Sequence, residues 1–139
     1  MKVSFVIKIF TSAAAAVFLL LSSGLMAQGG VGKMWHSEKG LYSVSIKSEL
    51  SPIPINQIHS WTLELQDSIG APVLNADVSF DGGMPEHNHG LATAPSLVSQ
   101  GDGSYLLQGL RFHMMGYWEL VLNIEDDGTT DTVLITLNL

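Results

Sequence analysis

Six side chains that could ligate a soft metal ion fall in two short stretches of this 139-residue chain. Gly82-Gly83-Met84-Pro85-Glu86-His87-Asn88-His89-Gly90 carries one thioether and two imidazoles. Phe112-His113-Met114-Met115-Gly116-Tyr117-Trp118 carries one imidazole and two thioethers. Imidazole suits copper among several metals, and thioether favours Cu(I) in particular. His87 and His89, two apart, project to one side of an extended segment, where they either chelate one ion or play separate roles. Pro85 fixes one backbone angle, while Gly82, Gly83 and Gly90 allow the segment to fold back on itself. Met84 stands in a glycine-rich polar loop without periodic apolar partners, which points away from a core role. Met114 is in phase with Leu110 and Phe112, so it is either a core residue at a strand end or a thioether facing the histidine loop. His113 and Met115 fall on the opposite face and read as solvent-facing, becoming ligands only if the chain bulges at Gly116. His59 shares a face with Trp61 and is either a capped histidine at a strand end or a ligand reaching the same pole. Met84, His87 and His89 are thus the residues that could share one metal, while Met114 and His59 stay open between a core role and a ligand role.

The elements that must position these side chains read as strands, because apolar residues recur with a period of two. Tyr42, Val44 and Ile46 alternate within 41–50. His59, Trp61, Leu63 and Leu65 alternate with Ser60, Thr62, Glu64 and Gln66. Ala76, Val78 and Phe80 form a third run, which Asp81-Gly82-Gly83 is expected to end. Residues 84–100 lack a period and read as a long loop with a short strand at 96–99. Leu106, Leu110, Phe112 and Met114 are assigned one face of a strand over 105–114. Trp118, Leu120, Leu122 and Ile124 line the next strand, and Val133, Ile135 and Leu137 line the last. About seven short antiparallel strands in some 100 residues predict an all-β, immunoglobulin-like sandwich.

The amino terminus reads differently. Lys2 and Lys8 precede an apolar run at 9–21, and Ser22-Ser23-Gly24-Leu25-Met26-Ala27 follows, the layout of a secretory signal peptide ending at Ala27, with Gly24 the alternative. The run falls short of the ~20 residues of a spanning helix, so no stable membrane insertion is expected after cleavage. The domain plan is a signal peptide at 1–27, a flexible arm at 28–40 that includes His36, and one β-domain at 41–139. The expected location is the periplasm or another exported space. Without Lys2 and Lys8 the four remaining cations, Lys33, Lys39, Lys47 and Arg111, face 13 acidic residues, a net charge of −9. Such a surface has no footprint for nucleic acid or anionic lipid. The absence of cysteine excludes disulfides, thiolate metal sites and a cysteine nucleophile. No Gly-x-Ser-x-Gly elbow, His-Glu-x-x-His pair, phosphate-cradling glycine motif or calcium loop is present, so no enzyme is expected.

The ordered elements Ile58-His59-Ser60-Trp61-Thr62, Gly82-Gly83-Met84-Pro85-x-His87-x-His89-Gly90, Gly101-Asp102-Gly103-x-Tyr105 and Gly109-Leu110-x-Phe112-x-Met114-x-Gly116-x-Trp118-Glu119-Leu120 resemble the YtkA-like domain family over most of 55–139. The resemblance implies an immunoglobulin-like sandwich related in shape to periplasmic copper carriers and to FixH-type oxidase-assembly proteins. It matches Met84, His87, His89 and Met114 to the recurrent Met-Pro-x-His and Phe-x-Met elements, with His113 and Met115 in variable slots. The leading expectation is a periplasmic copper carrier or buffer holding Cu(I), which would hand the metal to an acceptor such as a terminal oxidase. The alternative is a metal-free interaction module that binds another envelope protein through the same loops. A small-molecule binder ranks third, because so small a sandwich has little room for a cavity.

Overall fold

The protein, described by a computed structural model over residues 33–139, is an antiparallel β-sandwich. Residues 1–27, expected as a signal peptide, and the first part of the arm lie outside the described residues. In chain order the strands are β1 (Met34–His36), β2 (Tyr42–Ser48), β3 (His59–Asp67), β4 (Asp77–Met84), β5 (His89–Gly90), β6 (Ser96–Ser99), β7 (Ser104–Leu110), β8 (Tyr117–Asp126) and β9 (Thr129–Asn138). One sheet has the order β1-β2-β3-β7-β6 and the other β5-β4-β8-β9. The alternation of β3 and β8 carries through into packing. His59, Trp61, Leu63 and Leu65 of one sheet and Trp118, Leu120, Leu122 and Ile124 of the other are buried between the layers. The sheets meet closely: a gap of about 10 Å³ lined by Val44, Leu65, Tyr105 and Ile124 is too small for a ligand. That removes the sandwich interior as a small-molecule site.

Three expectations change. Met34–His36, expected in the flexible arm, form β1, pairing Trp35 with Val44 and packing the half-buried indole on the core. Three alternating residues in a glycine-rich stretch are too few to register as a period. Secondly, β4 does not end at Gly82 but runs on to Met84, pairing Gly82 with Leu120 and Gly83 with Glu119. Glycine is required there by close approach rather than by a turn. A Cβ on Gly82 would stand 2.5 Å from the Leu120 Cδ2 methyl, and one on Gly83 would stand 2.6 Å from the His89 carbonyl oxygen.

Thirdly, the strand expected over 105–114 changes phase and stops at Leu110. Tyr105 and Leu107 point inward, and so do Leu110 and Phe112. The switch lies at a β-bulge: Trp61 faces Leu107 while His59 faces Leu110, and Gly109 takes φ +79°. One inserted residue moves the inward set from odd to even positions. Leu106 is thereby turned away from the fully buried set. Past Phe112 the chain leaves the sheet, which puts Met114 at 39% exposure, outside the core.

At the far end of the sandwich the two sheets are joined through Asp131 of β9, which is buried at 4% exposure. One carboxylate oxygen accepts hydrogen bonds from the Lys39 and Thr132 amides, at 3.1 and 2.8 Å, and the other accepts from the Leu41 amide at 3.3 Å. The turn between β1 and β2 is thus tied to the opposite sheet. Burial alone would raise the Asp131 pKa, but these amides and the Ser37 hydroxyl, shared with the Tyr42 carbonyl, outweigh it and hold the pKa below the ordinary value. Asp131→Asn is expected to cost about 1–3 kcal/mol of folding stability in urea unfolding at neutral pH. Because the folded pKa is depressed, the stabilisation is complete above the unfolded-state value of about 3.9 and is lost as pH falls through the folded value. Wild type and variant should therefore converge in acid.

Candidate functional site

The histidine loops meet at one pole of the sandwich, and the register of β4 puts them there. Met84 pairs with His89 across the β4–β5 hairpin, so the two side chains share a face. The β4–β8 ladder ends at the Gly83–Glu119 pair, so Met84 and Trp118 each follow directly at its end. Pro85–His87 form a single 3-10 turn that Asn88 closes in the left-handed conformation, φ 52°. This compact turn carries His87 out into solvent and returns the chain as β5. Met84 itself is 1% exposed, so its expected placement in a polar loop is corrected: it lies in the core beneath the histidines. Its Cε methyl reaches under Gly116, where a Cβ would come within 2.9 Å of it.

His89 and His113 form the closest pair of rings at this pole. Their centroids are 4.8 Å apart with the planes inclined at 43°. His87 lies on the other side of His89, with centroids 5.8 Å apart and planes at 24°. Trp118, fully buried, meets His113 edge-on at 5.5 Å and His89 at 6.3 Å, and its Nε1–H donates to the Met114 carbonyl at 3.1 Å. The His89 Nδ1 stands 3.2 Å from the Gly90 carbonyl oxygen. A carbonyl only accepts, so Nδ1 is the donor here, which leaves Nε2 as the nitrogen able to face a metal. The His113 Nδ1 is buried without a hydrogen-bond partner. Burial, then the neighbouring His89 and Arg111, lower the His113 pKa and favour its neutral form.

His59 is not in this group. Its Nδ1–H donates to the Gln57 carbonyl at 3.1 Å, and its ring packs on Trp61 and Phe112. Phe112 in turn packs against Trp118 at 5.1 Å, so two aromatic rings intervene between His59 and the imidazole pair. Its Nε2 is buried and unpartnered. Met114 contributes its carbonyl to the frame of the site, while its side chain sits at the surface. The structure thus brings together Met84, His87 and His89 of the expected set, sets His59 apart, and adds His113 and Trp118. His113 was assigned outward by the phase of a strand that ends before reaching it. Gly109 was the available signal for that error, since an isolated glycine within a strand pattern marks a bulge.

Bound to one ion, an imidazole centroid stands roughly 3.2 Å from the metal, and two imidazoles at the tetrahedral angle of about 109° are then about 5.2 Å apart. The His89–His113 separation of 4.8 Å is a few tenths of an ångström shorter than that. Among the described residues, no group of three His, Asp or Glu side chains is placed to hold one ion. What the pole offers is two adjacent imidazoles beside a buried thioether, with a third imidazole at the rim.

The model of the YtkA-like family matches residues 36–123. The chain belongs to the YtkA-like family. The matched span of this YtkA-like domain includes His59, Met84, His87, His89, His113, Met114 and Trp118 and stops short of β9. No curated protein shows a significant match. A solved structure titled "ZirS C-terminal Domain" aligns over 100% of this chain and 88% of its own, at 13% identity and a TM-score of 0.44.

Two outcomes are expected from this geometry. Ring-proton NMR should place the His113 midpoint below the ordinary value of about 6.5, and His89→Gln should raise it. Since the folded state resists protonation here, the associated stability is complete above the unfolded value and lost as pH falls. Gly83→Ala should force the β4–β5 hairpin away from β4, at a cost of about 1–3 kcal/mol in denaturant unfolding, with shifted His89 and His113 resonances.

Proposed function

We propose that this domain is an exported Cu(I)-binding protein, a carrier or buffer rather than an enzyme, with His89, His113 and the Met84 thioether as its ligands. The observation that carries the reading is the imidazole pair at 4.8 Å, placed over a methionine that register aligns with His89. Zinc is the weaker candidate, because structural zinc sites take four ligands from Cys, His and carboxylates. Two imidazoles and a thioether make a neutral, partly soft donor set, which suits Cu(I). His87 can join by rotating from the rim. Trp118 and Phe112 wall the inner side against water, and the acidic surface would raise the local concentration of cations. An acceptor such as a copper enzyme of the cell envelope completes the proposal.

A second reading, a metal-free module that binds another envelope protein, draws on the exposure of Ile58 at 61% and Met115 at 72%. Anaerobic Cu(I) titration against a competing chelator separates the two. One-to-one binding is expected, weakened more than about 100-fold by His89→Ala with His113→Ala, beyond the loss typical of outer-shell partners. His59→Gln should leave the affinity in place. Failure of the parent protein to compete with the chelator would remove the copper reading and leave the module.

A further inference from the structure

Met114 and Met115 are the thioethers that the proposed ligand set leaves over, and their setting is unlike that of an ordinary surface methionine. Met115 is 72% exposed and Met114 39%, although burial would be favourable for both side chains. Slack backbone does not explain this. The Met114 carbonyl accepts the Trp118 Nε1–H, and Gly116 exchanges two backbone hydrogen bonds with Leu139, at 2.8 and 3.0 Å. Upstream, the Phe112 carbonyl accepts the Asn56 amide at 2.6 Å. The turn is held on both sides while it presents two polarisable, freely rotating sulfur side chains to solvent. Immediately before them stands His113, with its unpartnered Nδ1 and its ring against His89. The two exposed thioethers thus follow His113 directly in the chain, and the buried Met84 thioether lies against the next residue, Gly116.

We propose that Met114 and Met115 form an outer thioether lip through which Cu(I) passes into and out of the site. The inference rests on the Cu(I) reading above. Each step is a ligand exchange without electron transfer: an arriving Cu(I) takes a lip sulfur as it releases a donor ligand, then gives up that sulfur for an imidazole nitrogen. The ion remains Cu(I) and is never without ligands. A lip that acts only during passage lowers the barrier in both directions equally and leaves the equilibrium affinity unchanged.

The test is stopped-flow transfer of Cu(I) between the purified protein and bicinchoninate, in both directions and without oxygen, alongside equilibrium competition. Met114→Leu with Met115→Leu, and Met115→Leu alone, conserve volume and should keep the fold. Met34→Leu, 44% exposed on β1, serves as the control thioether. The expected result is an unchanged affinity, with loading and release both slowed about tenfold or more in the double variant, and no effect at Met34. Unchanged rates would overturn the lip while the Cu(I) site stands. A loss of affinity would also overturn it, because the thioethers would then be resident ligands. If the parent protein binds no Cu(I), the reading beneath the lip fails first, and the lip with it.

Discussion

The pole of this domain depends on a steric allowance of two adjacent residues. Without side chains at Gly82 and Gly83, Leu120 fills the space over one and the His89 carbonyl approaches the other. Only then can β4 run on to Met84 and the chain return at once as β5. Met84 and His89 are thereby fixed opposite each other, at the end of the β4–β8 ladder. Strand side chains alternate, so a slip of one residue would turn Met84 out and put a loop residue in its place. The 3-10 turn between β4 and β5 is short enough to leave little freedom for such a slip.

Around that register the polar groups are treated differently at the two ends of the molecule. Asp131 is a buried charge compensated by amides, and it serves to hold the sheets together. Towards the histidine pole the buried nitrogens are incompletely paired: His113 Nδ1 and, behind the aromatic rings, His59 Nε2 lack partners. An unsatisfied buried nitrogen is unfavourable for stability alone. The two ends illustrate the contrast between a polar group placed for structure and one left open to another partner.

Much of the sandwich could be read from alternation, and the places where reading failed have physical causes. The patterns of 59–66 and 118–124 became the facing walls of the core because both strands run straight through it. The pattern of 105–114 misled, since a bulge at Gly109 costs one residue of phase and periodicity counting carries no term for it. Met84 was legible as special but not as buried; neighbours that lack side chains make a strand look like a loop. His59 shared its face with Trp61 as expected, yet only the intervening rings of Phe112 and Trp118 show that it is separated from the other imidazoles. The ordered glycine, methionine and histidine elements were enough to identify the family, which the match over 36–123 confirms.

The reciprocal hydrogen bonds between Gly116 and Leu139 tie the behaviour of the site loop to the end of β9. Each amide donates to the carbonyl of the other residue, so displacing either residue breaks both bonds. Strand ends fray at low free-energy cost, far below that of global unfolding. Fraying of Leu139, the residue that follows β9, would release the Gly116 backbone in the same event. Their deuterium uptake should rise and fall together, and the mobility of the pole is then set by a strand terminus that carries none of its imidazoles or thioethers.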